Sequence, residues 1–396
     1  MKTPSDRQIR IIIIGGGFVG VPTARRLARV LGSSAQIVLV DSKEYFLFTP
    51  RLIDALGSAA DTRSLYTAKL EDLASRSGFM FVHGTAEEID RGGCRVRISH
   101  NGTDTWMSYD HLVISPGAQT NYYDIPGAKK ETFALKTFED VEKIHTKTID
   151  LVTRAAASSS NSEKQKLLSF AFIGAGPSGV EGICSLKKFV LDRIERTDKR
   201  LRDLASFTLI QAAPQILPGF SDAVVEKTLG ALNMQGIHVL VGRVVTSIGD
   251  GMIKAADGLH LPVALIVWTA GITPNAIPIS PIVDRDRGGN IVADRRLKVD
   301  TCIYCAGDCV AFTDRNLIIP KNAQTAMLMA RYLSDAVVNT QKGKDIPPFS
   351  YHSKGNILTL GPTGILDLPH LAIRTPLASV LRDMFYRHRW DQIVGT

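Results

Sequence analysis

Two stretches of the chain share one pattern, IIIIGGGFVG at 11–20 and FIGAGPSGVEG at 172–182. In each, an apolar run ends in three spaced glycines and a helix-forming stretch follows. The first set is Gly15, Gly17 and Gly20, with Phe18 inside the loop; the second is Gly174, Gly176 and Gly179. The first glycine permits a tight turn after a strand, the second lets the backbone approach a pyrophosphate, and the third lets helix and strand pack closely. The helix N-terminus then offers free N–H groups and a partial positive charge to phosphates. Asp41 closes the strand AQIVLVD that follows the first loop. A carboxylate at that place accepts hydrogen bonds from a ribose diol; its other reading is a turn or capping aspartate. After the second loop the matching place, at the end of SFTLIQ, is held by Gln211. A neutral amide bonds a diol, does not repel a 2′-phosphate, and has an NH2 to donate to one. NADPH is therefore expected alongside NADH. The residues that follow, Ala212 to Gln215, contain no arginine that would make NADPH strongly preferred.

A scaffold that presents these loops must build one unit twice. Residues 9–41 read as strand, glycine turn, helix and strand, a βαβ unit. Residues 79–115 carry short alternating runs, expected as antiparallel strands inserted into a parallel layout, and 138–154 form an amphipathic helix. The small, polar stretch AAASSSNSEKQK at 155–166 reads as a linker or surface loop. After it the plan restarts with LLSFAFIG, PSGVEGICSLKKFVLDRIE and SFTLIQ, and GIHVLVG, MIKAAD and LPVALIVWTAG complete it. A helix is expected at 321–339. The fold class is α/β, with two Rossmann-like dinucleotide-binding domains and a short C-terminal segment. The first domain is discontinuous, 1–154 and 271–345; the second, 155–270, is inserted; 346–396 is the tail.

Composition narrows the function. With 396 residues, two or three domains are expected. A net charge of +8 suits nucleic acid, anionic lipid or an anionic small molecule, but no nucleic-acid module is present in the sequence. Five cysteines are too few for a disulfide framework, and a reducing, cytoplasmic setting is the default. No run reaches the roughly 18 apolar residues of a spanning helix, and Ile11–Ile14 is too short for the core of a secretion signal. No His, Cys, Asp or Glu cluster has metal-ligand spacing, so no metal is expected. Two cradles on one chain suggest an electron relay, with one dinucleotide resident and the other visiting. A flavin is the natural resident, because it accepts a hydride from a nicotinamide stacked on it.

The chain resembles the two-dinucleotide-binding-domain flavoproteins, and within them the type II NADH dehydrogenases (NADH:quinone oxidoreductases). The resemblance covers most of residues 9–365. It rests on the two glycine loops together with DSKEYFLFTPRLIDALG, YDHLVISPGAQTNYYDIPGA, LIQAAPQILPGF, WTAGITPN, GGNIVADRRLKVD, CAGDCVAF, NAQTAMLMARYL and YHSKGNILTLG. It implies FAD in the first domain and NADH or NADPH in the second. It implies that Asp308, after Gly307 in CAGDC, bonds the flavin ribitol, and that Phe48, Thr49 and Pro50 form the loop against the isoalloxazine. Gly271, in WTAGITPN, falls among the cofactor-binding positions. Ala323 and Gln324 open a helix toward the flavin O2 side, and Lys136 and Lys354 match lysines near the ring. Glu181, in GVEG, matches a glutamate near the nicotinamide–flavin contact. Taken singly, Asp308 is also a turn aspartate, each lysine a surface residue, and Glu181 a first-turn helix glutamate. Catalytic roles are assigned to Glu181, Lys354 and Gln324.

The cysteines exclude sister families, since no CxxxxC follows Asp41 and no CxxC lies in the NAD domain. Cys302 and Cys305 stand on the strand leading to AGD, where core filling is expected. Quinone-reducing relatives carry a further glutamine after AQ; Leu328 and Met329 stand there, implying a more apolar acceptor pocket. The tail TPLASVLRDMFYRHRWDQIVGT is shorter than in those relatives. Leu377, Val380, Leu381, Met384 and Phe385 share a helical face, Arg382, Arg387 and Arg389 flank it and Trp390 ends it. That suits either a membrane interface, on the inner face of a membrane, or packing on the chain's own domain or a second copy. The expected activity is FAD-dependent transfer of a hydride from NAD(P)H to flavin N5, and of electrons onward to a quinone-like acceptor. The rivals are a soluble NAD(P)H-dependent flavin oxidoreductase or monooxygenase, and a redox-sensing protein of the apoptosis-inducing-factor type.

Overall fold

The isoleucine run at 11–14 has no polar face, which suits a strand covered on both sides. In the computed structural model, which describes residues 8–314, 317–369 and 371–395, that run lies at the centre of a five-stranded parallel sheet. The order across this sheet is Ile303–Cys305, His111–Ile114, Ile9–Ile14, Ala35–Asp41, Met80–His83. Ile14 pairs with both Val40 and Ile114, so the first loop leaves the sheet between Asp41 and Ser115. A second parallel sheet repeats the arrangement, in the order Ile237–Leu240, Ser206–Ile210, Ser169–Ile173, Leu265–Trp268. The chain passes between the two units at Ala118–Thr120 and Ile272–Pro274, which pair antiparallel.

Two sequence expectations change. Residues 79–115 are not all inserted antiparallel strands: Met80–His83 and His111–Ile114 belong to the parallel sheet, and Thr85–Asp90, Arg95–His100 and Thr103–Ser108 form the antiparallel layer. The HLVI run is buried at all four positions, so it had no reason to alternate. Residues 155–166 are not a linker. The helix Phe138–Ala157 runs into them and a second helix, Asn161–Leu167, follows, with Ser160 Oγ accepting from Glu163 N. The long helix puts Ile144, Leu151, Val152 and Ala155 into the second unit's core. Its N-terminus is fixed by a capping box between Thr137 and Asp140, and Asp140 also accepts from Lys136 N.

The C-terminal segment straps both units. A meander of Asn356–Leu360, Thr363–Leu368 and Leu371–Thr375 places Leu358, Leu360 and Ile365 in the second core. The helix Ala378–Val394 that follows places Tyr386, Trp390 and Ile393 against the first core.

Candidate cofactor and active site

The glycine geometry of the two loops is nearly identical. Gly15 and Gly174 both have φ +100°, a conformation that side chains resist. A Cβ on Gly20 would meet Gly15 O at 1.8 Å, and a Cβ on Gly179 would meet Gly174 O at 1.8 Å. At Gly17 and Gly176 a Cβ would meet nothing within 4 Å. Packing therefore requires the first and third glycines, while the middle one borders open space where a phosphate approaches.

Asp41 and Gln211 brace their loops in the same manner. Asp41 Oδ2 accepts from Gly16 N at 2.5 Å, and Gln211 Oε1 accepts from Ala175 N at 3.0 Å. Asp41 Oδ1 also takes Lys43 N at 2.7 Å. Because an N–H must face an oxygen, the Gln211 NH2 is turned away from the loop. Phe18 packs edge-on against Phe46 and Phe48, with centroids 5.3 Å apart in each pair. Phe48 in turn meets Tyr386 and Trp390 of the C-terminal helix. Phe18 thus sets aromatic rings beside the exposed Gly17 of the first cradle, whereas the second carries the exposed Pro177 and Ser178 after Gly176.

At the far side of the first unit, Gly307 turns the chain at φ +82° and its N–H meets Met329 Sδ. Asp308 follows, and its carboxylate makes no hydrogen bond among the described residues. The backbone carbonyl of Asp308 accepts from Lys321 Nζ at 2.7 Å. Lys136 is an electrostatic neighbour of Asp308, and burial holds its ammonium below the ordinary value. A cavity of about 560 Å³ takes in Gly307, Asp308, Lys321 and Met329. Thr325 lines it too, and its buried hydroxyl has no hydrogen-bond partner among the described residues. The helix Ala323–Gln341 begins there, capped by Asn322, which accepts from Thr325 N at 2.9 Å. Met329 is buried under the Gly307 turn, so of the two residues expected at the acceptor pocket only Leu328 stays partly open. Gly271, at φ +141°, lies under the Tyr123 ring. Thr49 and Lys354 are exposed, and Pro50, Ala323 and Gln324 are half-buried.

Glu181 lies inside a charge network that local sequence did not signal. It is 7% exposed, and its Oε1 accepts from Thr359 N and Thr359 Oγ1 at 2.7 Å each and from Arg382 Nη1 at 3.1 Å. Burial pushes its carboxyl above the ordinary value, against the pull of Arg382 and Thr359. Arg382 also pairs with Asp54; Asp54 with Arg51 at 2.9 Å; and Arg51 with Asp383 at 2.5 Å. Both guanidinium groups stack on Tyr386. Arg382 and Trp390 therefore face inward, which corrects their expected places beside and beyond the exposed apolar face. The four-residue spacing of 382, 386 and 390 was the available sign of a second, buried stripe.

All five cysteines are free thiols; Cys305 and Cys309 are buried with their sulfurs 3.6 Å apart, and Cys302 is partly buried in the same core. The structure therefore gives Cys302 and Cys305 the core-filling place expected of them.

Residues 9–330 match the family described as pyridine nucleotide-disulphide oxidoreductase. The chain is 28% identical over 331 residues to an external alternative NAD(P)H-ubiquinone oxidoreductase B3 of Arabidopsis thaliana mitochondria, covering 79% of this chain and 56% of that protein. It spans little more than half the length of the first plant relatives it matches. It is 27% identical over 398 residues to a demethylphylloquinone reductase of Synechocystis, covering 98% of this chain and 93% of the other. Among solved structures, the NDH2 of Plasmodium falciparum in complex with NADH superposes with a TM-score of 0.87 over 98% of this chain and 96% of its own. At 20% identity, that likeness is one of fold.

Proposed function

Because the chain belongs to the pyridine nucleotide-disulphide oxidoreductase family, we propose that it is a FAD-dependent NAD(P)H dehydrogenase that delivers electrons to a quinone-like acceptor. The observation that carries this reading is the doubled cradle, one copy flanked by the packed rings of Phe18, Phe46 and Phe48 and the other by exposed Pro177 and Ser178. That asymmetry suits a resident and a visitor. A bound flavin supplies the ability to take a hydride from the nicotinamide and release electrons to the acceptor.

The residues fit FAD. Gly15, Gly17 and Gly20 with the helix Gly20–Leu31 bind the pyrophosphate, and Asp41 takes the adenosine ribose. The unbonded Asp308 carboxylate takes ribitol hydroxyls. Lys136 and the start of the Ala323–Gln341 helix supply positive potential beside the ring. Thr49, Pro50 and Gln324 border the acceptor side, with Lys354 on an exposed loop near the start of the meander. Gly174, Gly176 and Gly179 bind the NAD(P)H pyrophosphate and Gln211 its ribose. Glu181 acts through Arg382, holding the NAD(P)H-binding helix, the Leu52–Leu56 helix and the C-terminal helix in one geometry.

The purified chain with added FAD is expected to be yellow, to bleach rapidly with NADH, and to recover colour with a short-tailed quinone. A colourless protein that takes up no flavin overturns the reading. Bleaching that quinones do not reverse favours the sensor class instead.

The acceptor's solubility bears on the tail. Leu377, Val380 and Met384 are 61%, 55% and 63% exposed, with Leu381 and Phe385 beside them and Arg387 and Arg389 along the same helix. Among the described residues no helix is long and apolar enough to cross a membrane. This face rests on the membrane surface, its arginines toward anionic headgroups. Sedimentation with anionic vesicles is expected for the full chain and lost in Met384→Glu/Leu377→Glu. If the chain fails to sediment and is dimeric on gel filtration, the face covers a second copy instead.

A further inference from the structure

A Rossmann unit delivers the adenosine ribose to the tip of its second strand, where Gln211 stands. The segment Ala212–Gln215 has no basic residue, but folding brings one to the same tip from the next strand. Gln211 donates its backbone N–H to Leu240 O at 2.8 Å and accepts at its carbonyl from Arg243 N at 2.9 Å. Gly242, at φ +67°, donates to Ala213 O at 2.9 Å. These bonds fold the residues after Ile237–Leu240 back over the Gln211 tip. Arg243 is therefore held beside Gln211 by main-chain bonds, while the Gln211 side-chain oxygen is fixed on Ala175 N and its NH2 turned outward.

The Arg243 guanidinium pairs with Asp257, on the turn between Met252–Ala255 and His260–Pro262. Their side chains are 41% and 33% exposed. A pair as wet as this contributes little to stability and is readily exchanged. A phosphate carries about −1.5 to −2 charges and offers a guanidinium two oxygens at once, so it displaces a single exposed carboxylate.

Resting on the reading of the second cradle as the NAD(P)H site, we propose that Arg243 is the anchor for the 2′-phosphate of NADPH. The Gln211 NH2 is the second donor. Asp257 is an internal stand-in that holds the guanidinium when the visitor is NADH. Asp257 also tempers the preference, because its charge stays close after displacement. The three residues together make a site that serves both nicotinamides.

Calorimetric titration of the full chain with 2′,5′-ADP and with 5′-AMP tests this without turnover. The wild type is expected to bind 2′,5′-ADP at least as tightly as 5′-AMP. Arg243→Gln is expected to weaken 2′,5′-ADP by about tenfold, the scale of one lost charge-assisted bidentate contact, while 5′-AMP affinity holds. Arg243→Lys keeps part of the preference and Asp257→Asn increases it. The NADPH/NADH ratio of kcat/KM follows the same order. If Arg243→Gln leaves the ratio of the two affinities unchanged, Arg243 is not the anchor, and the second cradle survives as a nucleotide site. If the wild type binds neither ligand, the cradle reading falls and the anchor falls with it. Unaltered 5′-AMP binding in each variant shows that a lost preference is not a lost fold.

Discussion

The two cradles have the same backbone and different surroundings. Gly15 and Gly174 share a φ of +100°, and Gly20 and Gly179 share a forbidden Cβ position 1.8 Å from a carbonyl oxygen. What differs is the bracing residue and the cover. Asp41 holds two backbone N–H groups with its carboxylate, and its loop carries Phe18, which packs on Phe48 and through it on the C-terminal helix. Gln211 holds one with a neutral oxygen, beside an exposed helix start. A loop that recognises pyrophosphate is thus a fixed part. Its neighbours decide whether the ligand stays or leaves.

The comparison breaks most visibly at the third glycine. Gly20→Ala or Gly179→Ala forces a methyl into a backbone oxygen, with no flexible side chain to give way, and is expected to cost about 3 kcal/mol or more. Thermal unfolding measures it, and equal losses at the two sites confirm that the loops are structural twins. Gly17→Ala and Gly176→Ala are expected to unfold like the wild type, since a Cβ there meets nothing within 4 Å. They separate the ligands instead. Gly17→Ala leaves the protein pale after FAD addition, and Gly176→Ala leaves it yellow but slow to bleach with NADH. If both variants lose the same ligand, the assignment of one cradle to each is wrong.

The strap that joins the two units is next in size. Arg382→Met leaves the buried Glu181 without its cation and is expected to cost about 3–5 kcal/mol in urea unfolding, most of it restored in Glu181→Gln/Arg382→Met. A pH signature accompanies it. Burial holds the folded Glu181 carboxyl above 4.5. The folded state therefore keeps that proton longer than the unfolded chain. This contribution is complete below 4.5 and is lost as pH climbs through the raised value. Glu181→Gln lacks that decline, so its stability relative to the wild type is expected to improve with rising pH.

This network shows where the sequence stops being legible. The cradles were legible because turn, approach and helix start fall within ten residues. The Glu181–Arg382 pair joins residues 201 positions apart, and although the spacing of 382, 386 and 390 marks a stripe, no local pattern states which partner an inward arginine meets. Arg243 was invisible for the same reason, being joined to Gln211 across a strand. The 155–166 stretch was legible and misread. Its small polar residues suggested a loop, yet Ser160 and Glu163 have the Ser-x-x-Glu spacing that starts a helix, and Ser160 caps it. Asp308 lay between, recognisable by its motif, while its electrostatic neighbour Lys136 is held from 172 positions away by the capping box that starts the Phe138–Ala157 helix.

Lys136 tests the charged side of the first cradle with a smaller effect. Its ammonium is lowered by burial, so the unfolded chain binds that proton more readily and stability rises with pH between the lowered value and 10.5. Lys136→Met is expected to raise the Tm of the flavin-free protein by about 2 °C at neutral pH, to lack that alkaline gain, and to lower the flavin's reduction potential. A lower Tm with an unchanged potential means that the lysine is a structural prop and not a partner of the ring.

The finest test converts one cradle's brace toward the other's. Asp41→Asn keeps one oxygen where two are used, so either Gly16 N or Lys43 N must face an amide NH2. The lost bond is expected to cost about 1 kcal/mol, and FAD affinity is expected to fall by about tenfold, because a charged acceptor for the ribose diol becomes a neutral one. Fluorescence titration of the flavin-free protein measures it. Unchanged affinity would mean that the packed aromatic rings, and not the carboxylate, retain the resident, and the difference between the cradles would then lie in their cover alone.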